Sequence, residues 1–271
     1  MKRTIAAVMV SSSAAFLSLA FFPNLGSAQI FSFERAQENT KQWRGERRVI
    51  GMRQRNVPAR SLPPPKVFAR YTDETITLDG KLEESAWTKA KPVYVARIHE
   101  TGAVITKLTT PVRAVWSNDA IYFAFEAPYT ELTTFEPPMK EGEERLGLWD
   151  RDVVEVFIGT NHGKITEYTE FEVAPTGEKL DLTLDLPDKD FQWSSGFEAA
   201  VHIDSVAKKW TTEVRIPLAA LSRDKPVPGT RWRINFYRHD IASKSFLTWN
   251  PTLQRNAHVP ERFGILEFQG R

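Results

Sequence analysis

The sequence predicts an all-β fold from residue 71 onward, a two-sheet antiparallel β-sandwich of jelly-roll-like form. Three observations predict it. The 271 residues include 8 Trp, 17 Phe and 6 Tyr. Short apolar or alternating runs recur between turn-forming residues. No long segment carries a helical apolar period. The absence of Cys excludes disulfides, thiolate catalysis, Cys-rich zinc sites and a lipid anchor on Cys.

The elements follow in order. Residues 71–78 read as a strand entering the turn Asp79-Gly80, and 82–90 as a helical turn or two around Trp87. Residues 112–116 and 121–126 flank Ser117-Asn118-Asp119 as a hairpin. The β-branched run 153–158 ends at Gly159. Residues 168–174 and 179–186 flank Pro175-Thr176-Gly177 as a second hairpin. Strands at 199–204, 211–217, 231–239, 246–249 and 265–268 complete the set, with Lys208-Lys209 at one turn.

Ahead of this domain the chain changes character. Lys2 and Arg3 precede an uncharged apolar stretch at 5–22, and Pro23, Asn24 and Gly26 break any helix there. This pattern reads as a signal peptide over 1–28, cut after Ala28, and so as export to the periplasm or beyond. The alternative is a retained membrane anchor. Residues 29–70 hold ten Lys or Arg against three Glu and approach their end through Pro63-Pro64-Pro65, a stiff basic linker. From residue 71 on, acids outnumber bases. The basic segment either tethers the chain to an anionic surface or lies against its own acidic domain. An exported chain with an acidic globular part is not expected to bind nucleic acid.

Alternation sorts the sheet faces. Val154, Val156 and Ile158 point to the core and turn Glu155 outward; Phe171 and Val173 do the same and turn Glu170 and Glu172 outward. Trp232, Ile234 and Phe236 point inward, which sends Arg233, Asn235, Tyr237 and His239 to the other face. Leu180, Leu182, Leu184 and Leu186 share one face of their strand. Trp87, Trp116 and Trp232 are expected in the core, while Trp249 is open. Trp149, beside Gly147 and between charged residues, reads as an exposed ring. A polar sheet face with embedded rings suits sugars, whose hydroxyls need hydrogen-bond partners and whose C–H faces pack on aromatic plates. An ordinary solvated face is the alternative.

These segments together resemble the family 9 carbohydrate-binding modules. The likeness begins with Leu78-Asp79-Gly80-Lys81-Leu82-Glu83-Glu84 and Trp87, and continues through Val112-Arg113-Ala114-Val115-Trp116 and Ile121-Tyr122-Phe123-Ala124. Its most specific piece is Trp149-Asp150-Arg151-Asp152-Val153-Val154-Glu155-Val156-Phe157-Ile158, similar to W-x-x-D-x-V-E-x-F-I. Phe171-Glu172-Val173-Ala174-Pro175-Thr176-Gly177, Glu213-Val214-Arg215-Ile216-Pro217 and Pro260-Glu261-Arg262-Phe263-Gly264 complete it.

The resemblance implies sugar binding without bond cleavage, with two Trp rings clamping a terminal sugar and polar groups holding its hydroxyls. Trp149 matches the first ring and Glu155 the acceptor. The position of the second ring holds Ala257, with His258 beside it, so His258 or Tyr237 is the candidate replacement. Glu172 stands where the family carries a basic residue. A close Glu155–Glu172 pair raises one pKa or requires a cation, supplied by Arg238 or by calcium, which several family members bind. No cofactor is otherwise expected. His99, His162, His202, His239 and His258 lack the H-x-x-x-H spacing of a zinc site.

The expected function is that of an exported, non-catalytic carbohydrate-binding module with a saccharide or polysaccharide partner. The rivals are an envelope adaptor of the same fold that has lost its ligand, a glycoside hydrolase using Glu155 and Glu172, and a haem module, for which Met139 is the one Met of the domain.

Overall fold

The computed structural model describes residues 63–140 and 142–271; the expected signal peptide and the basic stretch 29–62 lie outside the described residues. Fourteen strands and two short helices follow in chain order. These are β1 (Lys66–Tyr71), α1 (Ser85–Lys89), β2 (Val93–Val95), β3 (Arg97–Ile98), β4 (Thr110–Trp116), β5 (Ala120–Pro128), β6 (Val153–Gly159) and β7 (Glu167–Val173). Then come β8 (Lys179–Asp185), β9 (Asp188–Asp190), β10 (Glu198–Asp204), β11 (Lys209–Pro217), α2 (Leu218–Leu221), β12 (Arg231–Asp240), β13 (Ser245–Thr248) and β14 (Gly264–Phe268).

One hydrogen-bonded path joins the strands in the order β10-β11-β5-β4-β1-β14-β12-β6-β7-β8-β9. The path curls until its halves face each other: Phe123 and Phe125 of β5 pack edge-on against Phe236 of β12, with ring centroids 5.5 and 5.9 Å apart. The all-β reading stands, but the sheet is mixed rather than purely antiparallel. β1 runs parallel to both β14 and β4. It starts at Lys66, so the last residues of the stretch read as linker belong to the sheet. Lys66 sits on the charge run, whereas Val67 and Ala69 are fully buried at the seam.

The inter-layer core contains Trp116, Trp210, Trp232, Phe123, Phe125, Phe171, Phe236 and Phe268, as alternation in the strands requires. Trp249 joins it from the side, packed on Phe236. Trp87 is 2% exposed in a smaller cluster behind β4 and β5. Its indole N–H donates to Glu213 Oε1 at 2.9 Å, and Glu213 Oε2 accepts the N–H groups of Asp79 and Gly80 at 3.0 and 2.7 Å. Gly80 has φ +78°, and a side chain there would collide with the backbone of Val201 and His202. The D-G turn, the tryptophan and the E-x-x-I-P strand are thus one buried knot.

Candidate functional site

The face of β6, β7, β8 and β12 turned away from the inter-layer core carries the expected polar residues, but it is covered. A second apolar cluster lies over it: Leu148, Phe157, Tyr168, Leu180, Leu182, Leu184, Tyr237 and Phe263, flanked by Trp149, Phe135, Phe191 and Ala257. Two segments supply the cover. One precedes β6. Asp152 pins its ends, accepting from Thr133 N at 3.0 Å and Ile241 N at 2.8 Å. Glu178 holds its middle through Arg145 Nε (2.6 Å) and Met139 N (2.8 Å). The guanidinium groups of Arg145 and Arg151 both lie over the Phe135 ring, 4.6 and 4.5 Å from its centroid. The other segment, between β13 and β14, is held where Asn250 Nδ2 donates to the Arg262 carbonyl at 2.6 Å and Asn235 Nδ2 to the Asn250 carbonyl at 2.9 Å.

Register brings the acids together. Tyr237, Glu155, Glu172 and Leu180 form one cross-strand row. Asn235, Phe157, Glu170 and Leu182 form the next. Glu155, Glu170 and Glu172 are 3%, 5% and 0% exposed. Leucines on β8 and Phe157 surround them, so charge there is poorly solvated. Burial, reinforced by the negative charge of Glu155, pushes Glu170 up to about 8. Burial first, then Glu170 and Glu155, raises Glu172 well above the usual carboxylate range. Neither oxygen of Glu172, nor Glu170 Oε2, receives a hydrogen bond from a fixed donor. The contact open to Glu172 is Glu170 itself, which requires a shared proton.

The imidazoles close the rim. His239 Nε2 lies 3.2 Å from Glu155 Oε1. His258 stacks on Phe157, with planes 15° apart, and its Nδ1 lies 3.9 Å from Glu170 Oε2. Lys189 Nζ donates to His258 Nε2 at 2.7 Å, which leaves Nδ1–H to donate to the Tyr168 hydroxyl at 2.6 Å. Burial and the nearby Lys189 lower His258 to about 3, so its ring is neutral.

Trp149 lies in the 3₁₀ turn Leu148–Asp150 that follows Gly147, whose φ is +85°. Leu148 is buried beneath it, while the Trp149 ring is half-buried beside Phe191 at 6.4 Å. Structure therefore gathers Trp149, Glu155, Glu172 and His258 on one face. Tyr237 shares that face but is 0% exposed, its hydroxyl donating to the Ala257 carbonyl at 2.8 Å. It is a prop for the covering loop and offers no open plate. Arg238, expected as the counter-charge, points the other way. One alternation step from Tyr237, it enters the core edge and donates to Thr110 Oγ1 (2.8 Å), Asp240 Oδ2 (2.9 Å) and the carbonyls of Leu108 and Pro128. Among the described residues no Lys or Arg pairs with the three glutamates, and no group of three His, Asp or Glu side chains is placed to hold a metal ion.

Glu170, Lys189, Phe157 and Tyr168 were missed as site residues. The signal for Glu170 was present, since it alternates in phase with Glu172. Lys189 lies in a three-residue strand too short to show a pattern.

The fold is a curled β-sandwich in which a half-buried aromatic ring lies beside clustered carboxyl groups. The family model described as "Carbohydrate family 9 binding domain-like" matches residues 78–271, and the chain belongs to that family. A protein from Arthroderma benhamiae described as "Extracellular protein" is 27% identical over 177 residues, covering 59% of this chain and 78% of its own. Two solved structures of a family 9 carbohydrate binding module from Caldicellulosiruptor kristjanssonii share the fold. The one in complex with cellotriose has a TM-score of 0.56 at 17% identity, covering 76% of this chain and 95% of that one. The one in complex with glucose has a TM-score of 0.55 at 18% identity, covering 76% and 97%.

Proposed function

We infer that this protein is an exported, non-catalytic module that binds saccharides at the Trp149 face. One observation carries the reading: in a family 9 binding domain, the half-buried indole of Trp149 lies against the cluster that covers Glu155 and Glu172. The indole supplies the plate for a sugar ring; Glu155 and Glu172 lie beneath the cover and accept hydroxyls only where the covering segments part. His258 takes the place beside Ala257 where a second ring is needed. A single plate with a few hydrogen bonds supports a Kd of roughly micromolar to millimolar, about −8 to −4 kcal/mol. Nothing in this arrangement calls for bond cleavage: the glutamates are cross-strand neighbours under one cover, not groups flanking an open cleft. Export rests on the charged-then-apolar start of the chain and agrees with the extracellular description of the fungal relative. A glycan array probed with the full chain tests the binding reading, which predicts retention on at least one glycan; blank spots throughout would leave the adaptor role. N-terminal sequencing of the exported protein tests cleavage after Ala28.

A further inference from the structure

We propose that a cavity walled by Trp193, at the end of the sandwich where β6 and β8 finish and β7 begins, is a second binding site and takes a free neutral sugar of one or two rings. The inference stands apart from the Trp149 reading, because the two indoles serve opposite faces of the same strands. Phe191, just past β9, packs on the outer cluster with Trp149. Trp193, two residues on, packs on the inter-layer core instead and meets Phe171 at 6.2 Å with planes 65° apart. The cavity has a volume of about 410 Å³, within the roughly 300–1,000 Å³ common for small-molecule sites. Its floor is one cross-strand row: Ile158 of β6, Thr169 of β7, Thr183 of β8 and Asp190 of β9. Leu221 of α2 closes another side, and its carbonyl accepts from Thr160 Oγ1 at 3.3 Å, which ties α2 to the residue after β6.

The floor has hydrogen-bonding capacity to spare. Thr169 Oγ1 donates to the Ile158 carbonyl at 3.2 Å, which leaves its lone pairs to accept. Among the described residues nothing hydrogen-bonds the Thr183 hydroxyl or the Trp193 indole N–H, and both are open to solvent. Asp190 spends Oδ1 on the Gln192 N–H at 2.8 Å and keeps Oδ2. Polar groups thus lie beside an indole and aliphatic side chains. An apolar ligand would cover the hydroxyls without pairing them. An anion would meet Asp188 and Asp190, and the lysines there are engaged: Lys164 holds Glu167 and Asp185 at 2.8 and 2.6 Å, and Lys189 turns to His258. The same ion pairs leave less charge for an organic cation. No group of three His, Asp or Glu side chains among the described residues is placed to hold a metal ion. A sugar ring suits both parts of the lining: its C–H face packs on the indole, and its hydroxyls pair with Thr169, Thr183 and Asp190. These groups compete with water in an open cavity, so the expected Kd is about millimolar, too weak to hold the protein on a sugar matrix without Trp149.

The test is fluorine NMR of the full chain labelled with 5-fluorotryptophan and titrated with glucose, galactose and cellobiose to about ten times that Kd. The Trp149 and Trp193 signals are assigned by their loss in Trp149→Phe and Trp193→Phe. The Trp193 signal should move with at least one of the sugars, and should follow the same curve in Trp149→Ala. Thr183→Val removes one hydrogen bond and should weaken that curve about threefold to tenfold while leaving the Trp149 curve in place. Asp190→Ala, at an exposed position, should act alike and serves as the second variant should Thr183→Val fail to fold. A Trp193 signal that stays still while Trp149 moves would overturn this inference and leave the Trp149 reading standing. Movement of Trp193 that vanishes in Trp149→Ala would be a relay from the first face and would overturn it as well. Movement that neither Thr183→Val nor Asp190→Ala weakens would overturn the assignment to this cavity. Movement of Trp193 alone would uphold this site and remove the Trp149 reading; stillness of both signals would overturn both.

Discussion

Glu213 on β11 holds the indole N–H of Trp87 at 2.9 Å across 126 residues of sequence. The same carboxylate closes the Asp79-Gly80 turn. Three segments that are separate in the sequence thus share one buried acceptor. Glu213→Ala strands the Gly80 N–H and an indole, and leaves the Asp79 N–H only the Thr77 carbonyl. Each orphaned donor costs about 1–3 kcal/mol, so a loss of roughly 3–5 kcal/mol is expected in urea unfolding. Sugar retention by the remaining folded fraction should be unchanged.

Trp149 and Trp232 separate function from packing. Trp149→Ala should abolish retention on a sugar matrix and cost less than about 1.5 kcal/mol, because its ring is half-buried over an intact Leu148. Trp232→Ala opens a cavity between the layers and should cost about 3–5 kcal/mol. Matched losses of stability in the two variants would remove Trp149 from the site.

The buried acids give stability a pH dependence whose sign can be worked out. Glu170, at about 8 in the folded protein and 4.5 as a free side chain, keeps a proton that the unfolded chain has lost. Its stabilising contribution is complete below 4.5 and disappears as pH rises through 8; Glu172 acts in the same direction. His258 works the opposite way. Lowered to about 3 from 6.5, it adds stability as pH rises, but only up to 6.5. The window from 6.5 to 8 therefore shows the acids alone. Each contributes up to about 1.4 kcal/mol per pH unit, and the melting midpoint is expected to fall by about 3–8 °C across the window. Glu172→Gln should flatten that slope; a midpoint that rises with pH would contradict the raised carboxyls.

Arg238 tests which face matters. Its guanidinium and Asp240 are 1% and 0% exposed and 2.9 Å apart. Arg238→Met leaves the buried Asp240 Oδ2 without its cation, although Asp240 Oδ1 keeps Ser243 and the Leu108 carbonyl keeps Thr110, and should cost about 3–5 kcal/mol. Retention of the folded fraction on a sugar matrix should not change. A loss of retention without unfolding would return Arg238 to the site.

Alternation made much of this legible from residues alone. It assigned the inward rows of β6, β7 and β12, placed Glu155 and Glu172 on a common face, and put Trp87, Trp116 and Trp232 in cores. It could not say that the outer face is roofed, because the roof comes from irregular segments with no period, pinned by single contacts such as Asp152 to Ile241. That is why Tyr237, correctly sent outward, proves buried. Arg238 was misplaced for a simpler reason: a charged residue was put with polar neighbours, although its parity matches Phe236 and Ile234. β1 was hidden by Lys66 and Arg70, whose charges made a central strand look like more of the basic stretch.

The parallel strand at the seam has a practical consequence. A fragment cut at Tyr71, where charge alone would divide the chain, loses the strand that joins the two halves of the sheet. β4 and β14 would then each present a bare, apolar edge, and such edges recruit one another between molecules. Trimming the chain at that point would leave both seam edges open to pairing with other copies.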